Sequence, residues 1–258
     1  MSYENLVVET QGARTRLVIN RPKALNALNR ATLTELGHAI DHLPADTRVV
    51  VITGAGDKAF VAGADIAEMQ GYDAAAGRAF SALGHEVFAK LERLDAVVIA
   101  EVNGFALGGG CELMLACDFA IASGNARLGQ PEVKLGVTPG FGGSTRLVRR
   151  IGRAWANQLL FTGDQLDAER ALALGLVNEV VAREALRARV DEIADRITAN
   201  APGAVAATKR AARVAAEVDL GTANLYEQEI FGACFATADQ KEGMAAFLGK
   251  RPAAWSGR

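Results

Sequence analysis

Val97-Val-Ile-Ala100, then Asn103-Gly-Phe-Ala-Leu-Gly108-Gly109-Gly110, then Cys111-Glu-Leu-Met-Leu-Ala116 follow one another almost without interruption, and their order decides the fold. The first run is continuously apolar and β-branched rather than alternating, so it reads as a strand buried on both faces. The last has a helical pattern. Three glycines between a strand and a helix allow close backbone approach and present amide N–H groups at the positive end of that helix. Such amides suit a phosphate, or an oxyanion forming during a reaction. A tight turn with a close helix–strand contact is the other reading of the same cluster.

Outward from this segment the pattern repeats. Arg16-Leu-Val-Ile19, Val49-Val-Val-Ile-Thr53 and Phe119-Ala-Ile-Ala122 are strands of the same kind. Leu33, Leu36, Ile40 and Leu43 fall on one face of a helix that Pro44 closes, and Phe80, Leu83, Val87, Leu91 and Leu94 repeat the spacing. Strand, helix, strand in this order predicts parallel pairing through helical crossovers, hence an α/β fold. Beyond Leu186, Val190, Ile193 and Ile197, the chain is helical in pattern at 204–218, 222–235 and 239–248. Asp239 followed by Glu242 has the spacing of a capping box for the last of these. We place a boundary near residue 200, between a strand-bearing core (1–200) and a helical appendage (201–258). An appendage of that size buries little by itself, so it is expected to pack on a neighbouring subunit.

Composition narrows the classes. Half of the 258 residues are apolar and 22% charged, enough for a sizeable core, and a net charge of −2 argues against a general polyanion binder. Three cysteines without a CxxC argue against a zinc ribbon or a disulfide framework. The start, Met1-Ser-Tyr-Glu-Asn, has no basic n-region or apolar h-region, and no run approaches 18 apolar residues. A soluble, cytoplasmic protein is expected, with no membrane partner.

A second small-residue loop, Gly54 to Asp65, leaves the preceding strand. Loops at the carboxyl ends of neighbouring parallel strands face one crevice, so both loops can aim backbone donors at one bound atom. Gly54-Ala-Gly56-Asp-Lys-Ala59 also fits GxGxxA, but Phe60-Val61 and Gly63 follow where a dinucleotide site needs a helix. Glu112 lies just after the glycine run, and Glu132 follows Pro131 at another predicted helix start. Paired carboxyls there can divide acid and base roles. They can equally be first-turn acids complementing helix dipoles. His38 and His42 have HxxxH spacing but lack a third ligand nearby, which favours a solvated helix face over a metal site. Arg146, Arg149, Arg150 and Arg153 form a basic stripe if helical, read as a solvated face or subunit contact before an RNA-binding one.

Together, these segments resemble the crotonase superfamily, and within it the enoyl-CoA hydratases. The resemblance rests on Ala59-Phe-Val-Ala-Gly-Ala-Asp-Ile-Ala-Glu-Met69, the 103–113 stretch, Gly129-Gln-Pro-Glu-Val133, Gly136-Val-Thr-Pro-Gly-Phe-Gly-Gly143, Phe161-Thr-Gly-Asp164 and the 235–251 segment. It covers nearly the whole chain in the right order, and it favours the acid–base reading of the glutamates. It implies a crotonase-like spiral of ββα units with a C-terminal helical trimerisation region, a homo-oligomer that is a trimer or a dimer of trimers. It implies an acyl-CoA thioester substrate held through its carbonyl by the N–H groups of Ala64 and Gly109. By the same resemblance Glu112 activates the water that attacks Cβ, and Glu132 manages the proton at Cα. The implied reaction is syn hydration of short to medium 2-enoyl-CoA to 3-hydroxyacyl-CoA. Conjugate addition then calls for an oxyanion hole and two carboxyls, with no metal or cofactor. CoA contacts are implied at Ala24, Ala62, Asp65, Ile66, Phe247 and Lys250. Where the family often carries a lysine after the Asp-Ile pair, this chain has Ala67, which leaves one phosphate contact without its side chain. Isomerisation or thioester hydrolysis on the same fold, and RNA binding by a homologue, are the alternatives.

Overall fold

The computed structural model describes residues 3–257. Its strands, in chain order, are β1 (Leu6–Gln11), β2 (Arg14–Ile19), β3 (Val49–Gly54), β4 (Ala59–Val61), β5 (Val97–Val102), β6 (Phe105–Leu107), β7 (Phe119–Ser123), β8 (Arg127–Gly129), β9 (Gln165–Asp167) and β10 (Glu179–Val181). The helices are α1 (Arg30–Asp41), α2 (Ile66–Met69), α3 (Ala74–Arg93), α4 (Gly109–Leu115), α5 (Gly143–Ile151), α6 (Arg153–Thr162), α7 (Ala168–Ala173), α8 (Leu186–Thr198), α9 (Pro202–Ala215), α10 (Leu220–Cys234) and α11 (Ala238–Leu248).

Two sheets form, ordered β1-β2-β3-β5-β7-β10 and β4-β6-β8-β9. Pairing is parallel from β2 through β3, β5 and β7 to β10, and parallel again from β4 through β6 to β8. Each unit β3-β4, β5-β6 and β7-β8 therefore adds one strand to each sheet before the chain turns into a helix or a helical turn. That is the spiral of ββα units. The continuous apolar runs are explained by burial on both sides. Val50 and Ile52 face a core shared with Leu33, Leu36, Phe88 and Leu91, while Val49 and Val51 face Leu186, Val190 and Ala194 of α8. The charge inside β5 is also accounted for, since Glu101 accepts from Arg16 at 2.7 Å and Arg16 in turn reaches Asp191 at 2.9 Å.

Several sequence readings shift. The segments at 54–65 and 103–108 are not simple strand-end loops, because β4 and β6 lie inside them as three-residue strands of the second sheet. Three residues carry too little periodicity to announce a strand. The last helix is capped by Thr237, whose hydroxyl accepts from Gln240 N–H at 3.1 Å, and not by Asp239. Asp239 instead accepts from the Ser256 and Gly257 backbone, and Glu242 is taken by Arg251 and Ala254 N–H, so the capping-box reading fails. The arginine stripe ends at Arg150, since Gly152 (φ 76°) breaks the chain between α5 and α6 before Arg153. His38 and His42 stack at 4.0 Å, and no group of three metal-ligating side chains occurs among the described residues. The helical C-terminal segment begins at Pro202, but α9 is tied to the core. Lys209 Nζ meets Asp118 at 2.8 Å and the Ala96 carbonyl at 2.8 Å.

Candidate active site

The glycine run is built for three different contacts. A Cβ on Gly110 would lie 1.9 Å from the Val61 carbonyl oxygen, so α4 starts flush against β4. Gly109 faces the other way: a Cβ there would lie 3.3 Å from the Ala64 nitrogen and 3.3 Å from the Phe141 ring. Gly108 has φ +49°, and a Cβ on it would approach Glu132 Oε1 at 3.1 Å. Ala64, Gly109 and Glu132 thus surround one small space.

Two amides border it. Ala64 pairs with Leu28 in a parallel bridge. Such a bridge uses the groups on either side of Ala64: Leu28 N–H donates to Gly63 O at 2.8 Å, and Asp65 N–H donates to Leu28 O at 2.8 Å. The Ala64 N–H points to the opposite side. Gly109 is the first residue of α4, where the helix offers its N–H no partner. Among the described residues neither N–H donates to a protein acceptor. Ala64 and Gly109 thus stand just after β4 and β6, short strands of the second sheet, rather than on plain strand-end loops.

Two carboxyls face the same space. Glu112, one turn into α4, is buried, and its Oε1 accepts N–H bonds from Phe141 and Gly143, each at 2.7 Å. Burial raises its pKa above the ordinary carboxylate value, while those two amides and the Arg146 charge oppose the rise. Glu132 opens a 3₁₀ turn after β8 and is half-buried. Burial pushes it up to about 7, and the Glu112 carboxylate adds to the rise against a backbone hydrogen bond. Glu132 therefore holds its proton more tightly than an ordinary carboxyl. Gln130 is buried beside it. With its amide nitrogen turned toward Glu132, Gln130 reaches Oε1 at 2.8 Å and Oε2 at 3.2 Å. Turned the other way, its oxygen can accept from the protonated acid.

Phe141 fills the wall next to Gly109. Its ring is buried, stacks edge-on against Phe80 (5.2 Å) and Phe88 (5.7 Å), and leaves no room for a Cβ on Gly84. Sequence reasoning quoted Phe141 and Gln130 within motifs and read Arg146 only as part of a basic stripe, so it missed Gln130 as a partner of Glu132 and Arg146 as part of this wall. Position gave the only signal: Gln130 stands beside Pro131-Glu132, and Arg146 one turn after Gly142-Gly143.

The CoA contacts implied by resemblance divide into two groups. Ala24, Ala62, Asp65 and Ile66 share one edge, with Ala62 N–H bonded to Leu25 O at 3.1 Å and Ile66 54% exposed. Asp65's carboxylate is spent locally, accepting from Arg21 at 2.9 Å and from Glu68 N–H at the start of α2. Burial would raise it, but those bonds hold it below the usual range. Phe247 is 83% exposed, and no hydrogen bond or ion pair among the described residues links Phe247 or Lys250 to that edge.

A spiral of ββα units that gathers two unspent amides and two carboxyls at its strand ends defines a crotonase-superfamily protein. The family model described as enoyl-CoA hydratase/isomerase matches residues 9–258. The chain is 51% identical over 253 residues to the short-chain-enoyl-CoA hydratase of Clostridium acetobutylicum, covering 97% of each. It is 52% identical over 255 residues to the crotonyl-CoA hydratase of Syntrophomonas wolfei, covering 98% of each. The crystal structure of an enoyl-CoA hydratase from Bacillus anthracis superposes with a TM-score of 0.96 at 39% identity, covering 99% of this chain and 100% of that one. The chain belongs to the enoyl-CoA hydratase/isomerase family.

Proposed function

We propose that the protein hydrates short 2-enoyl-CoA thioesters to 3-hydroxyacyl-CoA by the reversible syn addition of one water. The observation that carries the reading is the meeting of two unspent N–H groups, Ala64 and Gly109, with two carboxyls, Glu112 and Glu132, that burial pushes above the ordinary carboxylate range. The amides polarise the thioester carbonyl and take the charge that builds on its oxygen. Glu112, as carboxylate, removes a proton from water as the oxygen bonds to Cβ. The enolate then collapses, with Cα gaining a proton from Glu132. The product has gained OH at Cβ and H at Cα; Glu112 then holds the proton taken from water, and its passage to Glu132 through solvent in the site returns both carboxyls to their starting states. The Glu132 value near 7 suits a group that must give and regain a proton at neutral pH.

The names of the two relatives at about half identity support a short acyl group. Ala24, Ala62, Asp65 and Ile66 would line the CoA path through backbone groups. The exposed apolar residues Leu220, Leu225, Phe231, Phe247 and Leu248 support self-association through the C-terminal helices, as a trimer or a dimer of trimers. In that arrangement Phe247 and Lys250 would serve a neighbour's CoA. The test is product identity. Crotonyl-CoA should lose its conjugated-thioester absorbance and yield 3-hydroxybutyryl-CoA; an isomerised thioester or free CoA in its place would overturn the reading.

A further inference from the structure

Glu112 does not hold its own position. Its two amide donors belong to the Pro139–Gly143 loop that opens α5, and that loop needs a fixed conformation because Gly142 sits at φ +104°. Arg146, one turn further on, folds back over the loop. Its Nη1 donates to the Phe141 carbonyl at 2.7 Å. Its Nε and Nη2 grip Glu92 Oε1 and Oε2 at 2.6 and 2.9 Å, a two-point fork onto the end of α3. Arg146 is 17% exposed and Glu92 35% exposed, so the fork is partly withdrawn from water. A second strut comes from the same helix, where Ser81 donates to the Gly140 carbonyl. The peptide whose carbonyl Arg146 holds is thus joined to the residue whose N–H holds Glu112.

We propose that Arg146, anchored by Glu92, is a positioning residue that fixes the Phe141–Gly143 amides on the Glu112 carboxylate and so keeps the water-activating base aimed at the substrate. The proposal rests on the hydratase reading above and adds to it a residue that touches no substrate atom. Its charge acts in the same sense as its geometry, since a cation near Glu112 favours the carboxylate. Of the other titratable groups nearby, Glu132 from the turn after β8 and Cys111 on α4 interact with Glu112, while His85 and Glu92 on α3 face Arg146. Glu132 disfavours a second negative charge beside it. The His85 pKa is lowered, first by burial and then by the Arg146 charge. Removal of Arg146 relieves part of that lowering, which would offset part of the change at Glu112, and a His85→Gln background takes this second titration out of the comparison.

The test compares wild type, Arg146→Met, Arg146→Lys, Glu92→Ala and the Arg146→Met/Glu92→Ala pair in hydration of crotonyl-CoA over a pH series. Arg146→Met should lower kcat about 30-fold, the scale of a displaced catalytic group, with KM within about twofold. In the His85→Gln background, the acid limb of kcat/KM should move up by at least about half a pH unit, because the base then needs a higher pH to ionise. Arg146→Lys keeps the cation but cannot span Glu92 and the Phe141 carbonyl together. It should lose about fivefold in kcat with the acid limb in place. The double variant should match Arg146→Met alone, because Glu92 acts only through Arg146. A loss confined to KM, an unmoved acid limb for Arg146→Met in the His85→Gln background, or additive single effects would overturn the proposal. If wild type does not hydrate crotonyl-CoA, the hydratase reading fails by itself. The carboxyl infrared band that disappears in Glu112→Gln then decides the positioning claim: it should titrate at higher pH in Arg146→Met, and an unshifted band overturns it. Should Arg146→Met fail to fold, Arg146→Lys and Glu92→Ala carry the same comparison.

Discussion

Replacing Gly109 by alanine should uncouple activity from stability. The added Cβ would lie 3.3 Å from the Ala64 nitrogen and 3.3 Å from two Phe141 ring carbons. An oxyanion bonded to that nitrogen must come within about 2.7–3.1 Å of it, so the methyl group and the oxygen compete for one space. Loss of one such donor raises a barrier by about 2.7–4 kcal/mol, a factor of about one hundred to one thousand in kcat. The fold has little to lose. Alanine is preferred over glycine in a helix by about 1 kcal/mol, which offsets the crowding against a ring edge that can shift by a few tenths of an ångström. We expect crotonyl-CoA hydration to fall at least a hundredfold while the thermal midpoint stays within a few degrees of wild type. An alanine variant that hydrates crotonyl-CoA within about threefold of wild type would refute the assignment of this space to the thioester oxygen.

Three further outcomes follow from neighbouring geometry. Gly110→Ala, one residue on, places its Cβ 1.9 Å from the Val61 carbonyl oxygen. It should destabilise by more than about 3 kcal/mol, read as a large drop in the denaturation midpoint. Glu132→Gln should flatten the pH dependence of stability. A carboxyl raised to about 7 in the fold binds its proton more tightly there than in the unfolded chain, so its contribution is full below about 4.5 and is lost as pH rises through 7. After discounting for solvent screening, the variant should gain about 1 kcal/mol over wild type at pH 8 and nothing at pH 4, measured by denaturant melts. Lys209→Met leaves Asp118 without its 2.8 Å partner and the Ala96 carbonyl without a donor. A cost of about 2–3 kcal/mol is expected, and an unchanged melt would detach α9 from the stability of the core.

Long features were readable from the sequence and short ones were not. β3 and β5 announced themselves because burial on both faces demands unbroken apolar runs. α1 and α3 did so because one apolar stripe must face the sheet. β4, β6 and β8 have three residues each and lie in small-residue loops, so no period could reveal them, yet they carry Ala64 and Gly109 to their places. The glycine run suggested amide donors from local chemistry, but only resemblance singled out Ala64 and Gly109. Position alone suited Glu112 and Glu132 equally to capping; the resemblance favoured acid–base roles, and the fold brings them together with different burial. Arg146 illustrates the harder limit. As part of a stripe it resembled a solvated face, and only the fold shows its guanidinium between Glu92 and the Phe141 carbonyl.

The central claim is that Glu112 and Glu132 act together on one thioester held by two amides. Its most direct measurement is the turnover of crotonyl-CoA by Glu112→Gln, Glu132→Gln and the double variant, each checked for fold and CoA binding. Each single change should lower kcat by about a thousandfold, and the double should lose little more, because two groups serving one addition are not independent. Wild-type turnover in either single variant would contradict the claim.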